Sequence, residues 1–377
     1  MLFGLGPLEI IGMLVFVLLI FLLPWLLKLR IISSVTKSAF ELENMVEESK
    51  GILIKLSEEK GKPVLNQSQA IEDFMEFFVV PPVNLDPYGI VKKIEKILDL
   101  SEERFKQMVK VIAPMADEDT RANIVMTLKA TLGINSVAKE VRHNLELAKK
   151  TGNLQIMLSL QMSLPLIMRI VNAQFEGVKA FSEGKPVGDG LGPLVAGMLM
   201  TDYKTVKTKV TDDIYVAKKI MDNHELIIAR ARGPGARTGK VGKVVRSIIK
   251  DENINKIITV DAAVKLEGEE TGKVAQGIGV VIGGPGVDKW AIEEEIVKRN
   301  LDIDAVIVKM SPDEAISPMN QKIADSVEKA LEVVKRTILN TPDDANILVV
   351  GVGNSCGIKN MVHDLSEIEI KKDEKRT

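Results

Sequence analysis

Residues 256–267 read "KIITVDAAVKLE", a β-branched apolar run that ends on an aspartate, Asp261. Such a short run favours a buried strand over a helix, and its neighbours follow an alternating pattern. Before it come "LIIARA" (226–231) and the helical "TGKVGKVVRSIIKD" (238–251). After it come "VDKWAIEEEIVKRN" (287–300), "DAVIVKM" (304–310), "NQKIADSVEKALEVVKRTI" (320–338) and "NILVVGVG" (346–353). Strands alternating with helices predict a three-layer α/β domain with a mostly parallel sheet, here spanning residues 185–358 and followed by a charged tail, 359–377. Ligands of such folds bind beyond the carboxyl ends of the strands. Asp261, the "GPG" after 226–231 and the "GVGN" after 346–350 all fall at such ends.

Upstream, residues 31–184 read as an all-helical region. "AIEDFMEFF" (70–78), "PYGIVKKIEKIL" (87–98) and "SEERFKQMVKVIAPM" (101–115) place apolar residues three and four apart, with further helices expected at 118–131, 135–150 and 154–181. No catalytic constellation stands out there, and the region reads as a spacer, scaffold or oligomerisation element.

The first thirty residues form a transmembrane anchor. "IIGMLVFVLLIFLLPWLL" (10–27) carries no charge and is just long enough to cross a bilayer. Lys28 and Arg30 follow it while only Glu9 precedes it, so the basic side is expected in the cytoplasm and the short N-terminus outside. A signal peptide would place its positive charge before the apolar run. A second apolar stretch, "LQIMLSLQMSLPLIMRIV" (154–171), is interrupted by glutamines and serines and reads as a helix packed inside the soluble part or, alternatively, resting against the bilayer.

Composition narrows the chemistry. The net charge is -2, its charges are mixed along the chain and aromatics make up only 4%, so no nucleic-acid partner is expected. Cys356 is the sole cysteine, which excludes a disulfide within one chain. His143, His224 and His363 are too dispersed to suggest a zinc site; His224, which introduces an apolar run, has the best claim of the three to a role. The glycine loop "GPGARTGKVGK" (233–243) lacks P-loop spacing, and "GVGNSCG" (351–357) lacks the helix and acid of a dinucleotide site. No cofactor can be named.

A second aspartate, Asp189, sits in "PVGDGLGP" (186–193), ahead of a short apolar helix. If Asp189 and Asp261 meet, both cannot ionise cheaply; one pKa rises and the pair shares a proton. The ionised member can then activate water and the protonated one polarise a peptide group. With another acceptor the same pair could hold a divalent metal, or each could simply cap a turn.

These segments together resemble the spore germination protease and its relatives, which include the hydrogenase maturation peptidases. The resemblance runs through "GDGLGPLVAGML" (188–199), "GPGARTGKVGKVVRSII" (233–249), "IITVDAAVKLE" (257–267) and "TGKVAQGIGVVIGGPGV" (271–287). It implies a phosphorylase/hydrolase-like fold with Asp189 and Asp261 as the two catalytic aspartates. The maturation branch binds nickel with the matching acids and also uses a histidine, which has no counterpart here, so no metal is expected. The family begins this unit with a strand ending in "G-x-GN", which is missing before Gly188 but resembles "ILVVGVGN" (347–354) near the C-terminus. A circular rearrangement would bring that last strand, and Asn354, beside Asp189. The order of anchor, helical region and α/β domain looks like an uncharacterised group of archaeal membrane proteins.

The expected function is therefore a membrane-tethered, cytoplasmic-facing peptidase-like hydrolase acting on a peptide or protein substrate. Gly190, Gly235, Thr238, Lys265, Glu267, Thr271 and Asn354 are the expected substrate-side residues. The competing expectation is a non-catalytic scaffold or small-ligand sensor that kept the fold. Homo-oligomerisation is left open.

Overall fold

The computed structural model describes residues 6–63, 66–85, 89–201 and 205–371. Its helical part comprises α1 (Pro7–Leu56), α2 (Gln67–Phe74), α3 (Ile90–Ile112), α4 (Glu118–Thr151) and α5 (Leu154–Glu183). Two sequence expectations are corrected here. The helices expected at 87–98 and 101–115 are one continuous α3, and those at 118–131 and 135–150 are one α4. Ser101 and Gly133 lie at the expected breaks, but no proline follows either, and the apolar spacing continues across both. A helix start needs more than a capping residue type.

The chain divides into two compact units, Met1–Glu48 with Gly133–Asn172, and Ser49–Leu132 with Ala173–Thr377. In the first, buried residues recur three and four apart on each helix: Val35, Ala39, Leu42 and Val46 on α1, and Ala138, Val141, Leu145 and Ala148 on α4. Arg142 joins the two helices by a two-pronged bond to Glu43, 2.7 Å on each arm. Among the described residues nothing covers α1 from Leu8 to Leu27: Leu14, Phe16, Phe21 and Trp25 are all exposed. From Ile10 to Leu27 it carries no charge, and the helix is long and apolar enough to cross a membrane. α5 is two-faced, with Met157, Leu160 and Leu164 buried while Leu154, Leu158, Met162 and Leu166 are exposed.

The second unit holds the sheet. After a 3-10 turn at Gly188–Gly190 come α6 (Leu191–Thr201), β1 (Thr205–Thr211), β2 (Ile214–Met221), β3 (His224–Ala231), α7 (Val241–Asp251), β4 (Lys256–Val264), β5 (Val274–Gly277), α8 (Val287–Arg299), β6 (Asp302–Met310), α9 (Pro312–Ile316), α10 (Gln321–Leu339) and β7 (Asn346–Gly351). Seven strands pair in the order β1-β2-β3-β7-β4-β6-β5. β3, β7, β4 and β6 are mutually parallel, with Ile227 and Ile257 flanking Leu348, and Asp261 opposite Ile307. The edges are antiparallel, so the sheet is mixed. Asp212 and Asp213, both at positive φ, make the two-residue turn that joins β1 to β2.

α6 and α10 cover one face through Leu194, Leu199, Ile323, Val327 and Val334 against Ile258 and Val306. α7 and α8 cover the other through Val245, Ile249 and Ile292 against Ile257, Leu348 and Val350. α6 is apolar around its whole circumference because every residue from Leu191 to Met200 is buried. The late strand β7 therefore occupies the middle of the sheet, between β3 and β4, and its loop opens over the turn that carries Asp189. Val362 and Ile368, in the segment read as a charged tail, are buried; residues 372–377 lie outside the described residues.

Candidate functional site

Asp261 is the sixth residue of β4, 4% exposed, at the carboxyl end of the parallel core. Strand alternation sends it to the α7–α8 face, two residues beyond Thr259 and four beyond Ile257. Its Oδ1 accepts the Ala262 N–H at 2.6 Å, and the Gly283 N–H also bonds to it. Asp189 reaches the same end from another direction. Gly192, one helical turn later, lies where α6 meets the backbone of Val260 and Val352; a Cβ there would stand 2.8 Å from Val352 N and nearer still to the carbonyl oxygens of Val260 and Val352. Only glycine lets α6 approach so closely, and that approach sets Asp189 over the ends of β4 and β7.

The β7 loop completes the arrangement. Val352 N–H continues the pairing with Val260 O at 2.9 Å, and Gly353 then turns with φ +129°. That conformation suits glycine alone, and a side chain there would collide with the Asp189 carbonyl. Asn354 follows and donates its backbone N–H to Asp189 Oδ2 at 3.0 Å, while its own Oδ1 accepts from Cys356 N at 2.9 Å. The displaced "GVGN" thus meets Asp189 in space, 165 residues away in the chain.

Both carboxyl groups titrate high. Asp189 keeps part of its surface, yet the protein packed around its carboxyl removes enough hydration to push it up to about 7, against the Asn354 N–H. Burial, and then the neighbouring charge of Asp189, push Asp261 up to about 8, against the Ala262 and Gly283 N–H groups. Two acids in one desolvated space titrate as a pair. Burial therefore favours the protonated form of both carboxyls, and the charge of Asp189 favours it further at Asp261.

The remaining expected residues separate into groups. Gly190 is buried between Ile358 and the Asn354 carbonyl, within the Asp189 turn. Gly235 is buried too, packed against Asp119 at the start of α4; its carbonyl lies 2.8 Å from the Ser355 hydroxyl, which also meets the carbonyls of Arg232 and Arg237. Thr238 and Glu267 are exposed. Lys265 and Thr271 meet each other at 2.9 Å, and Thr271 donates to Glu314, which also pairs with Lys265 at 3.9 Å.

Glu314 and Arg230 were not expected. Glu314 accepts from the Ser311 N–H and forms the capping box of α9, while its carbonyl backs onto Gly188 beside Asp189. The "SPDE" spelling of residues 311–314 is the signal that identifies it. Arg230 is wholly buried and has three carbonyl acceptors, Ala231 at 2.9 Å, Lys359 at 2.7 Å and Ile358 at 3.1 Å. Burial lowers its pKa to about 9, and it fastens the chain after Asn354 to β3. His224, buried, bonds through Nε2 to Thr341 O at 3.1 Å, far in sequence from either aspartate and in a structural setting. Among the described residues no group of three His, Cys, Asp or Glu side chains converges on one point.

Comparison with known proteins gives a family. The chain matches a model described as "Protein of unknown function (DUF1512) N-terminal domain" over residues 9–184. It matches another described as "Domain of unknown function (DUF1512) C-terminal" over residues 187–359. Neither model describes a peptidase, and no curated protein matches the chain. Covering the apolar helix, the helical region and the sheet alike, these two matches show that the chain belongs to the DUF1512 family.

Proposed function

We propose that this protein is a membrane-tethered hydrolase that cleaves peptide or amide bonds with Asp189 and Asp261. One observation carries the reading: two desolvated carboxyl groups, from distant parts of the chain, stand at one end of the sheet, where the charge of Asp189 helps to raise Asp261. In this reading ionised Asp189 takes a proton from water as the oxygen attacks the substrate carbonyl carbon. Protonated Asp261 gives its proton to the carbonyl oxygen, forming a neutral diol. Asp189 then passes its proton to the departing nitrogen as the C–N bond breaks, and the diol hydroxyl returns one to Asp261. The balance is one amide and one water in, one acid and one amine out.

Asp261 is almost fully buried, so substrate entry requires a part of the protein to move. The segment after β5 is suited to that: Gly277, Gly279, Gly283 and Gly284 have no other atom within 4 Å of where a Cβ would stand. Its Gly283 N–H lies on Asp261, and its displacement would free the carboxyl oxygen for substrate. The phosphorylase/hydrolase-like fold relationship, suggested by the sequence, belongs to the same proposal. So does the topology, in which α1 crosses the membrane with its N-terminus outside and Lys28 and Arg30 on the cytoplasmic side.

The test is an unbiased peptide-cleavage screen with the full chain in lipid nanodiscs. Asp189→Asn and Asp261→Asn are each expected to lower cleavage about 10²–10⁴-fold, the range for general acid–base groups, with folding retained. Undiminished cleavage in either variant removes that residue from the mechanism. The near-complete burial of Asp261 favours a second reading, a small-ligand sensor or scaffold; a wild-type chain that cleaves nothing in the screen would support it over catalysis.

A further inference from the structure

The hairpin between α4 and α5 carries charge to an unexpected place. α1 runs away from its apolar stretch, and α4 returns antiparallel beside it, bound through Arg142 and Glu43. The turn that ends α4 therefore comes back to the level where the apolar stretch stops. There, Lys28 Nζ lies 3.5 Å from where a Cβ on Gly152 would stand. Lys28, with Arg30 two residues on, thus comes to the same end of the unit as the hairpin that carries Lys149 and Lys150, some 120 positions distant along the chain.

Four cations fall at this end of the unit, and one of them is paired with a carboxylate among the described residues. Lys149 is paired with Glu146 at 3.0 Å. Lys28, Arg30 and Lys150 have no carboxylate within ion-pair reach among the described residues. Immediately past the lysines, Leu154 is 48% exposed at the start of α5, and no charged side chain occurs between it and Arg169. A basic cluster with an exposed apolar residue at its tip, level with the end of a bilayer-length helix, matches an anionic lipid surface in both charge and polarity.

We infer that the 149–154 hairpin tip, together with Lys28 and Arg30, is a docking surface for the anionic headgroups of the membrane that α1 enters. This rests on α1 being a membrane anchor and is independent of the aspartate chemistry. The contact would give the first unit a second point of attachment and hold its helices at a fixed height above the bilayer.

The experiment uses the full chain with Asn153→Cys, labelled with an environment-sensitive fluorophore; Cys356 is buried, so the label reports the tip. Vesicles of phosphatidylcholine alone, and of phosphatidylcholine with phosphatidylglycerol, carry a headgroup quencher. Quenching is expected with phosphatidylglycerol and should weaken as salt is raised. Lys149→Gln and Lys150→Gln should each reduce the bound-to-free ratio of the tip roughly fivefold, at about 1 kcal/mol per cation near such a surface. Lys149→Arg and Lys150→Arg, which retain charge, should restore it. Equal quenching in both vesicle types, or quenching indifferent to the glutamine substitutions, would overturn the inference while leaving the anchor in place. A chain that floats with neither vesicle would overturn the anchor and the docking surface together.

Discussion

Gly192→Ala is expected to cost at least about 3 kcal/mol of stability, enough to unfold a large fraction of a domain of ordinary marginal stability. In most helices this substitution helps, because alanine gains roughly 1 kcal/mol over glycine in helix propensity. Here the added Cβ would fall among the carbonyl oxygens of Val260 and Val352 and 2.8 Å from Val352 N. All three are backbone atoms of the central sheet and cannot rotate away. Relief requires α6 to lift from the ends of β4 and β7, which would also carry Asp189 away from Asn354. Gly51→Ala in α1 supplies the control, since nothing lies within 4 Å of its Cβ position. Chemical unfolding should show Gly51→Ala neutral or slightly more stable and Gly192→Ala severely weakened. Equal stability of the two would mean that α6 does not sit against the strand ends.

Asp261→Asn should have the opposite effect, and one that depends on pH. In the unfolded chain an aspartate releases its proton near 3.8, whereas in the folded protein Asp261 holds it to about 8. Between those values the folded state binds more protons than the unfolded state, so stability falls as pH rises. The loss begins above pH ~4 and is complete above pH ~8. A shift of one unit corresponds to about 1.4 kcal/mol, and after relaxation around the buried charge the full effect is roughly 2–4 kcal/mol. Asparagine cannot ionise, and its Oδ1 can still accept the Ala262 N–H. Relative to wild type, Asp261→Asn should therefore gain that amount on going from pH 4 to pH 9. Urea unfolding at the two pH values measures it, and equal differences at both would refute a raised pKa.

Much of this architecture was written plainly in the chain. From β3 to β7 the alternation of β-branched runs with 3.6-residue apolar spacing located each long strand and helix to within a few residues. Such signals are local, and burial on both faces of a parallel sheet reinforces them. The edge elements were different. β1 and β2 each carry two lysines, and their turns rely on Asp212, Asp213 and Asp222 at positive φ rather than on glycine. β5 is four residues long, too short for a periodic pattern. The helix boundaries at Ser101 and Gly133 misled because capping residues and glycines tolerate a helix interior when packing favours it.

The candidate site was legible as a list but not as a geometry. Asp189 and Asp261 were singled out by their places before a helix and at a strand end. That Asn354 reaches Asp189 depended on β7 entering the sheet between β3 and β4, a choice of strand order that no local pattern encodes. The displaced "GVGN" was the only hint. Gly235 illustrates the converse: a glycine loop at a strand end reads as ligand-binding, yet this one packs against Asp119. Arg230 escaped notice because a buried arginine satisfied by carbonyls alone has no partner residue type to search for.

Asp189 and Asp261 form a coupled pair of raised carboxyls in a dry site, and carboxyl titration tests that coupling most directly. Carbon-13 labelling of the aspartates, followed by NMR from pH 3 to pH 10 with Asp189→Asn and Asp261→Asn used for assignment, should reveal two carboxyl groups that remain partly protonated near pH 7. Replacing Asp189 should bring Asp261 down, because it removes the neighbouring charge that helps hold the proton. Two independent titrations near 3.8, unaffected by each other's replacement, would contradict the account.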